Sequence, residues 1–206
     1  MRYLKLFEEF NDLVKFNSED LKNEKILLEE FFNNNSELNS IGTIDQYREY
    51  LVTIFPNSKV SGIWQHISNR PVFDFTLYGG GNFGKGYYFS KIGDDYIKFD
   101  KNKYFRHFAK LNVSSPRLGV AGEGSGFINK RLSDKYGSEI EFYPGDPEYR
   151  EVENELVEIN KKNCDAIIGD KNGYLESEIA LFDKEKIHLL GSTNDIDGFK
   201  KFVSKK

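Results

Sequence analysis

The chain has 206 residues, enough for one domain of ordinary size with a substantial core and too few for a second large one. Its 29 Lys and Arg against 33 Asp and Glu leave a net charge of −4, so there is no global basic excess of the kind that accompanies non-specific nucleic-acid binding, although a local basic patch stays open. One cysteine, Cys164, rules out an intrachain disulfide, and no Cys/His cluster has zinc-ligand spacing, so the sequence points to no metal and to a reducing compartment.

The opening stretch Met1 to Phe10 carries charges throughout and lacks the apolar core of a secretory signal, and nothing approaches a membrane span, so a soluble, cytoplasmic protein with no membrane partner is expected. Leu4, Phe7, Phe10 and Val14 recur at helical spacing, and Leu21, Leu28, Phe31 and Phe32 do so again, which predicts two amphipathic helices ending at Asn33 to Ser36. Thr43 followed by Gln46 forms a capping box ahead of Tyr47, Tyr50, Leu51 and Ile54, and Pro56 ends that helix. Residues 1–58 therefore read as a helical segment with no chemistry of its own.

From about Val60 the pattern changes to short strands broken by glycine and proline, and residues 59–206 read as an α+β core with a largely antiparallel sheet. A strand is predicted over Gly62 to Ser68, which carries His66 and Ile67. The run Tyr78 to Ser90 then places five glycines ahead of Tyr87, Tyr88 and Phe89, and reads as a loop delivering a strand beside a ligand. Tyr104 to Leu111 is predicted as a strand whose Arg106 and His107 face the surface. Gly119 to Gly126 lacks the spacing of a dinucleotide fingerprint and is expected to be a flexible loop before a helix over Phe127 to Tyr136.

Asp146 with Pro147 marks an N-cap and first helical position, and that helix runs to Lys161 and Lys162, whose charges suit its C-terminal dipole. Cys164 reads as a small buried hydrophobe beside the Ile167–Ile168 strand. Asp170 to Gly173 reads as a turn, Leu175 to Phe182 and Ile187 to Leu190 as paired strands, and Lys200 to Lys206 as a solvated tail.

Three pieces in this order, His66 in its strand, Phe83-Gly-Lys-Gly-Tyr-Tyr-Phe89, and Glu178 opening Ile-Ala-Leu-Phe-Asp, carry a resemblance to the ADP-ribosyltransferase superfamily, on the side shared by diphtheria-type toxins and poly(ADP-ribose) polymerases. It covers roughly residues 60 to 190. The resemblance implies a split, mixed or antiparallel sheet preceded here by helices, and cleavage of the nicotinamide–ribose bond of NAD as substrate, with no metal required. Glu178 would hydrogen-bond the ribose 2′-hydroxyl and stabilise the oxocarbenium ion, and Glu176, two positions earlier, would complete a Glu-x-Glu motif that orients an arginine acceptor.

On the same footing, Tyr88 would stack on nicotinamide, with Tyr96 or Phe99 as a second aromatic, while Phe83, Gly84, Gly86 and Ser90 would line the cofactor site. His66 would reach the adenosine ribose, and Ile67 stands where relatives usually place the glycine that approaches the nicotinamide amide. The chain thus combines the His of one branch with the Glu-x-Glu of another.

The expected activity is mono-ADP-ribosylation of a host protein, on arginine if the Glu-x-Glu reading holds, with a nucleic-acid acceptor left open. NAD glycohydrolysis and a non-catalytic binding or virion-structural module on the same fold are the alternatives. The first residues also resemble the starts of many tailed-bacteriophage proteins, which implies action in a host-cell cytoplasm or association with a virion.

Overall fold

The computed structural model describes residues 18–92, 103–169 and 178–206. The expected helix over Leu4 to Val14 and the turn over Asp170 to Gly173 lie outside the described residues, as do Tyr96, Phe99 and Glu176. In chain order the elements are α1 (Ser18–Asn34), α2 (Ser36–Ile41), α3 (Ile44–Thr53), β1 (Trp64–Ser68), β2 (Tyr78–Gly81), β3 (Gly84–Lys91), β4 (Phe105–Leu111), β5 (Pro116–Gly119), α4 (Glu123–Tyr136), α5 (Pro147–Asn163), β6 (Ala166–Gly169), β7 (Glu178–Leu181), a 3₁₀ turn (Lys184–Lys186), β8 (Ile187–Leu189) and α6 (Thr193–Val203). The protein is α+β, with three described helices ahead of the first strand.

The described residues fall into two compact units, the first within Met1–Phe73, Lys91–Ser114 and Glu185–Lys206, the second within Asp74–Ser90 and Ser115–Lys184. Described residues from both 1–58 and 59–206 thus share the first unit.

In the first unit β4 pairs antiparallel with β1 and with β8, and α1, α2, α3 and α6 bury an aromatic-rich core. The Thr43 capping box forms as the sequence predicts: Gln46 N–H donates to the Thr43 hydroxyl, and Thr43 N–H donates to the Gln46 amide oxygen at 2.8 Å. The expected break after α1 is shorter than the run of asparagines suggests. Asn35 is extended and its side chain accepts from Leu38 N–H at 3.1 Å, so it caps α2 instead of starting a loop.

Of the tail expected to be solvated, Lys200, Lys201 and Ser204 to Lys206 are exposed, while Phe202 and Val203 are partly buried. Its first residues end α6, in which Phe199 is fully buried and Ile196, Phe202 and Val203 pack on the core, a three-to-four-residue spacing that gives one apolar face. At its first turn Asp195 is fully buried and accepts from the Tyr47 hydroxyl at 2.6 Å and Gly191 N–H at 2.8 Å, with His188 Nε2 also at 2.8 Å. One carboxylate thereby joins α3, β8 and α6, and burial drives the Tyr47 phenol far above its ordinary range, with Asp195 adding to the effect.

In the second unit the order β5-β6-β7-β3 is parallel at β5–β6 and antiparallel elsewhere, with β2 paired to β3. Helices α4 and α5 pack on each other through Ile128, Leu132, Tyr149, Val152 and Leu156. Asp146 and Pro147 open α5 as predicted, but the Asp146 carboxylate accepts from Tyr143 N–H at 2.8 Å, outside the helix, and makes no capping bond.

Two expectations fail here. The pairing expected between Leu175 to Phe182 and Ile187 to Leu190 does not occur, because β7 is flanked by β3 and β6 whereas β8 adds to β4, the intervening residues turning as a 3₁₀ helix and not as a hairpin. The expected loop Gly119 to Gly126 is instead the end of β5, a short turn and the first turn of α4. Two of its glycines serve close packing: a Cβ on Gly124 would stand 2.1 Å from Gly84 N, and one on Gly119 would stand 2.3 Å from Ile167 Cγ2.

Candidate functional site

The glycine-rich run is not a loop but one arm of a hairpin. β2 pairs with β3 through Tyr78–Gly86 and Gly81–Gly84, with a register shift between them, and Gly84 turns at φ +87°. Tyr88 folds back into this hairpin. Its hydroxyl donates to Gly84 O at 2.5 Å and accepts from Phe83 N–H at 3.0 Å, and its ring lies stacked on Phe83 with centroids 6.2 Å apart and planes 13° apart. Gly81 makes room for that ring, since a Cβ there would fall 2.2 Å from Tyr88 Cζ.

Alternation along β3 then separates two faces. Tyr87 and Phe89 are buried, and the Tyr87 hydroxyl donates to Phe75 O at 2.7 Å, whereas Gly86, Tyr88 and Ser90 lie on the other face. Opposed residues of an antiparallel pair share a face, and the β3–β7 register sets Ser90 opposite Glu178 and Tyr88 opposite Ala180. Glu178 therefore stands at the head of an otherwise buried apolar strand, on the same face as Tyr88 and Ser90. Phe83 is fully buried with Cys164, Ile167, Ala180 and Phe182, so its ring belongs to the core and offers no surface to a ligand, a correction to its expected place in the cofactor site.

The Glu178 carboxyl is half-buried and accepts from Asn82 Nδ2 at 3.0 Å. Burial raises its pKa above the ordinary glutamate value, and the Asn82 hydrogen bond opposes that shift. Burial also holds the Tyr88 phenol far above its usual range, against the pull of the Phe83 N–H, and the carboxylates of Glu178, Glu153 and Glu123 add to the rise. Tyr88 is thus a neutral donor at any physiological pH. Arg117, which pairs with Glu123 at 2.5 Å and donates to Asn160 Oδ1 at 3.2 Å, supplies positive charge on the same side of the second unit. Glu123, the first residue of α4, also accepts from Val120 N–H at 3.1 Å, in the turn ahead of the helix.

His66 and Ile67 lie in β1 of the first unit, opposite His107 and Arg106. His66 packs edge-on against Phe73 with centroids 5.2 Å apart, and its ring lies 6.1 Å from that of His107. His107, expected at the surface, is half-buried. Its Nε2 lies 3.0 Å from Arg70 O and 3.1 Å from Ser68 Oγ, and burial lowers its pKa, with the bond to Arg70 O opposing. It ties the turn after β1 to β4.

The second unit therefore brings together Tyr88, Ser90, Gly84, Gly86 and Glu178 from the predicted set. Asn82 was missed by sequence reasoning: an asparagine in a glycine run reads as a turn residue, and its partner is 96 positions away. Among the described residues no group of three or more His, Cys, Asp and Glu is placed to hold a metal ion, and no helix is long and apolar enough to cross a membrane. Comparison of the chain with protein-family models, with curated proteins and with solved structures finds no match.

Proposed function

We propose that this chain is an ADP-ribosyltransferase with a split-sheet core of that superfamily, cleaving NAD at the nicotinamide–ribose bond and transferring ADP-ribose to a macromolecular acceptor. What supports this reading is the β3–β7 register, which sets Tyr88 and Glu178, two of the three residues on which the resemblance rests, on one face together with Ser90. In the proposed reaction the bond from ribose C1 to the pyridinium nitrogen breaks, its electron pair leaves with neutral nicotinamide, and an acceptor nucleophile attacks C1 and loses its proton. A carboxylate in a partly desolvated setting, with a neutral amide and not a cation as its partner, acts strongly on the developing oxocarbenium ion when it is ionised. The resemblance assigns the adenosine-ribose contact to His66, the nicotinamide-amide contact to Ile67 and the acceptor to Glu176.

A non-catalytic reading draws on one observation: the Tyr88 hydroxyl and the Phe83 ring are committed to the hairpin itself. Incubation with NAD labelled in the adenine and in the nicotinamide moiety, with and without a bacterial lysate, separates the readings. The expected result is nicotinamide release and a labelled macromolecule, with release falling on the order of 10²–10³-fold in Glu178→Gln. Release without a labelled product would make the protein a glycohydrolase, and no release together with no NAD binding by calorimetry would overturn the proposal.

A further inference from the structure

Asn82 lies at the tip of the β2–β3 hairpin, between Gly81 and Gly84, and is held there from two sides. On the inside, the Tyr88 hydroxyl bonds to Phe83 N–H and Gly84 O. On the outside, the first turn of α4 is latched to the tip, with Gly124 N–H donating to Asn82 O at 3.0 Å. That contact tolerates no side chain, since a Cβ on Gly124 would stand 2.1 Å from Gly84 N and 2.6 Å from Phe83 C. With its backbone fixed, Asn82 directs its amide at Glu178, Nδ2 to Oε2 at 3.0 Å.

We propose that Asn82 is a positioning residue that aims the Glu178 carboxylate, and that the first turn of α4 acts on Glu178 through it. The inference rests on the proposed transferase reading for its catalytic meaning, but not for its geometry. A neutral donor is the suitable partner. It fixes the plane of the carboxylate and favours its ionised form, while a Lys or Arg at the same distance would cancel the charge that an oxocarbenium ion needs. Burial works against the charged form of Glu178, and the Asn82 hydrogen bond is what favours it; among the other ionisable groups around Tyr88, Glu153 lies on α5 and Glu123 on α4, the latter paired with Arg117.

The test is the titration of the Glu178 side-chain carboxyl by ¹³C NMR in full-length protein labelled at glutamate, the resonance being assigned by its loss in Glu178→Gln. In Asn82→Ala the midpoint is expected to move to higher pH, and in the isosteric Asn82→Asp, which replaces the donor by a like charge, to move further. For nicotinamide release, Asn82→Ala should lower kcat on the order of tenfold, leave KM for NAD unchanged and shift the acid limb upward with the titration. An unmoved midpoint in Asn82→Ala with native circular dichroism overturns the proposal, and should that variant not fold, an unmoved midpoint in Asn82→Asp does so. If the parent releases no nicotinamide, the transferase reading fails, and the NMR titration still decides whether Asn82 governs Glu178.

Discussion

Replacing Tyr88 by Phe separates what its hydroxyl does from what its ring does. The ring stays stacked on Phe83 and over Gly81, so no apolar contact is lost, while the bonds to Phe83 N–H and Gly84 O both disappear. Two hydrogen bonds at roughly 0.5–1.5 kcal/mol each come to about 2 kcal/mol. For a chain of this size that is a fall in Tm of about 4–8 °C. Urea denaturation followed by circular dichroism should show an earlier midpoint at unchanged slope, and amide exchange should show Phe83 N–H losing protection while amides in the β6–β7 ladder keep theirs. Nicotinamide stacking needs only the aromatic face, so NAD affinity in Tyr88→Phe should stay close to that of the parent. Full protection of Phe83 N–H in the variant, with no change in midpoint, would refute the claim that the hydroxyl closes the hairpin.

If Glu178 acts as a carboxylate, the acid limb of nicotinamide release should lie above the ordinary glutamate value of 4.5, because burial raises this pKa and activity is lost as pH falls through the raised value. The same shift has a stability consequence: the folded protein holds the Glu178 proton more tightly, so the associated stabilisation is full below the unfolded value and lost as pH rises through the folded one. Glu178→Gln should therefore gain in urea midpoint over the parent at pH 8 and show no gain at pH 4. In the first unit, Asp195→Ala should cost about 3–5 kcal/mol, because it leaves the fully buried Tyr47 hydroxyl, Gly191 N–H and His188 without their common acceptor, against about 1 kcal/mol for Tyr47→Phe. Equal losses in the two variants by urea denaturation would show that Asp195 is not the shared anchor.

What was legible in the sequence is what neighbouring residues decide among themselves. Thr43 and Gln46 cap α3 because both bonds close within three positions, Pro147 opens α5 because its fixed φ suits the first turn, and the Ile167–Ile168 strand follows from an apolar run. The alternation of Tyr87 and Tyr88 between two faces follows from the period of a strand, and the place of Glu178 at the head of an apolar strand follows from the run behind it.

Tertiary structure alone decided whatever depends on a partner far along the chain. Leu175 to Phe182 and Ile187 to Leu190 look like a hairpin from their spacing, yet β7 takes β3 and β6 while β8 takes β4, because the register that buries each apolar face is set by strands distant in sequence. The glycines of Gly119 to Gly126 suggest flexibility to a reader of composition, whereas Gly124 is required because the backbone at Gly84 lies against it. Asn82 carries no signal of its role, since its amide meets Glu178 only after the hairpin tip and the head of β7 have been brought together across 96 positions. Local propensity specifies elements within a few residues. Which side chains face one another is set by burial and pairing over the whole unit, and no short stretch of sequence contains that information.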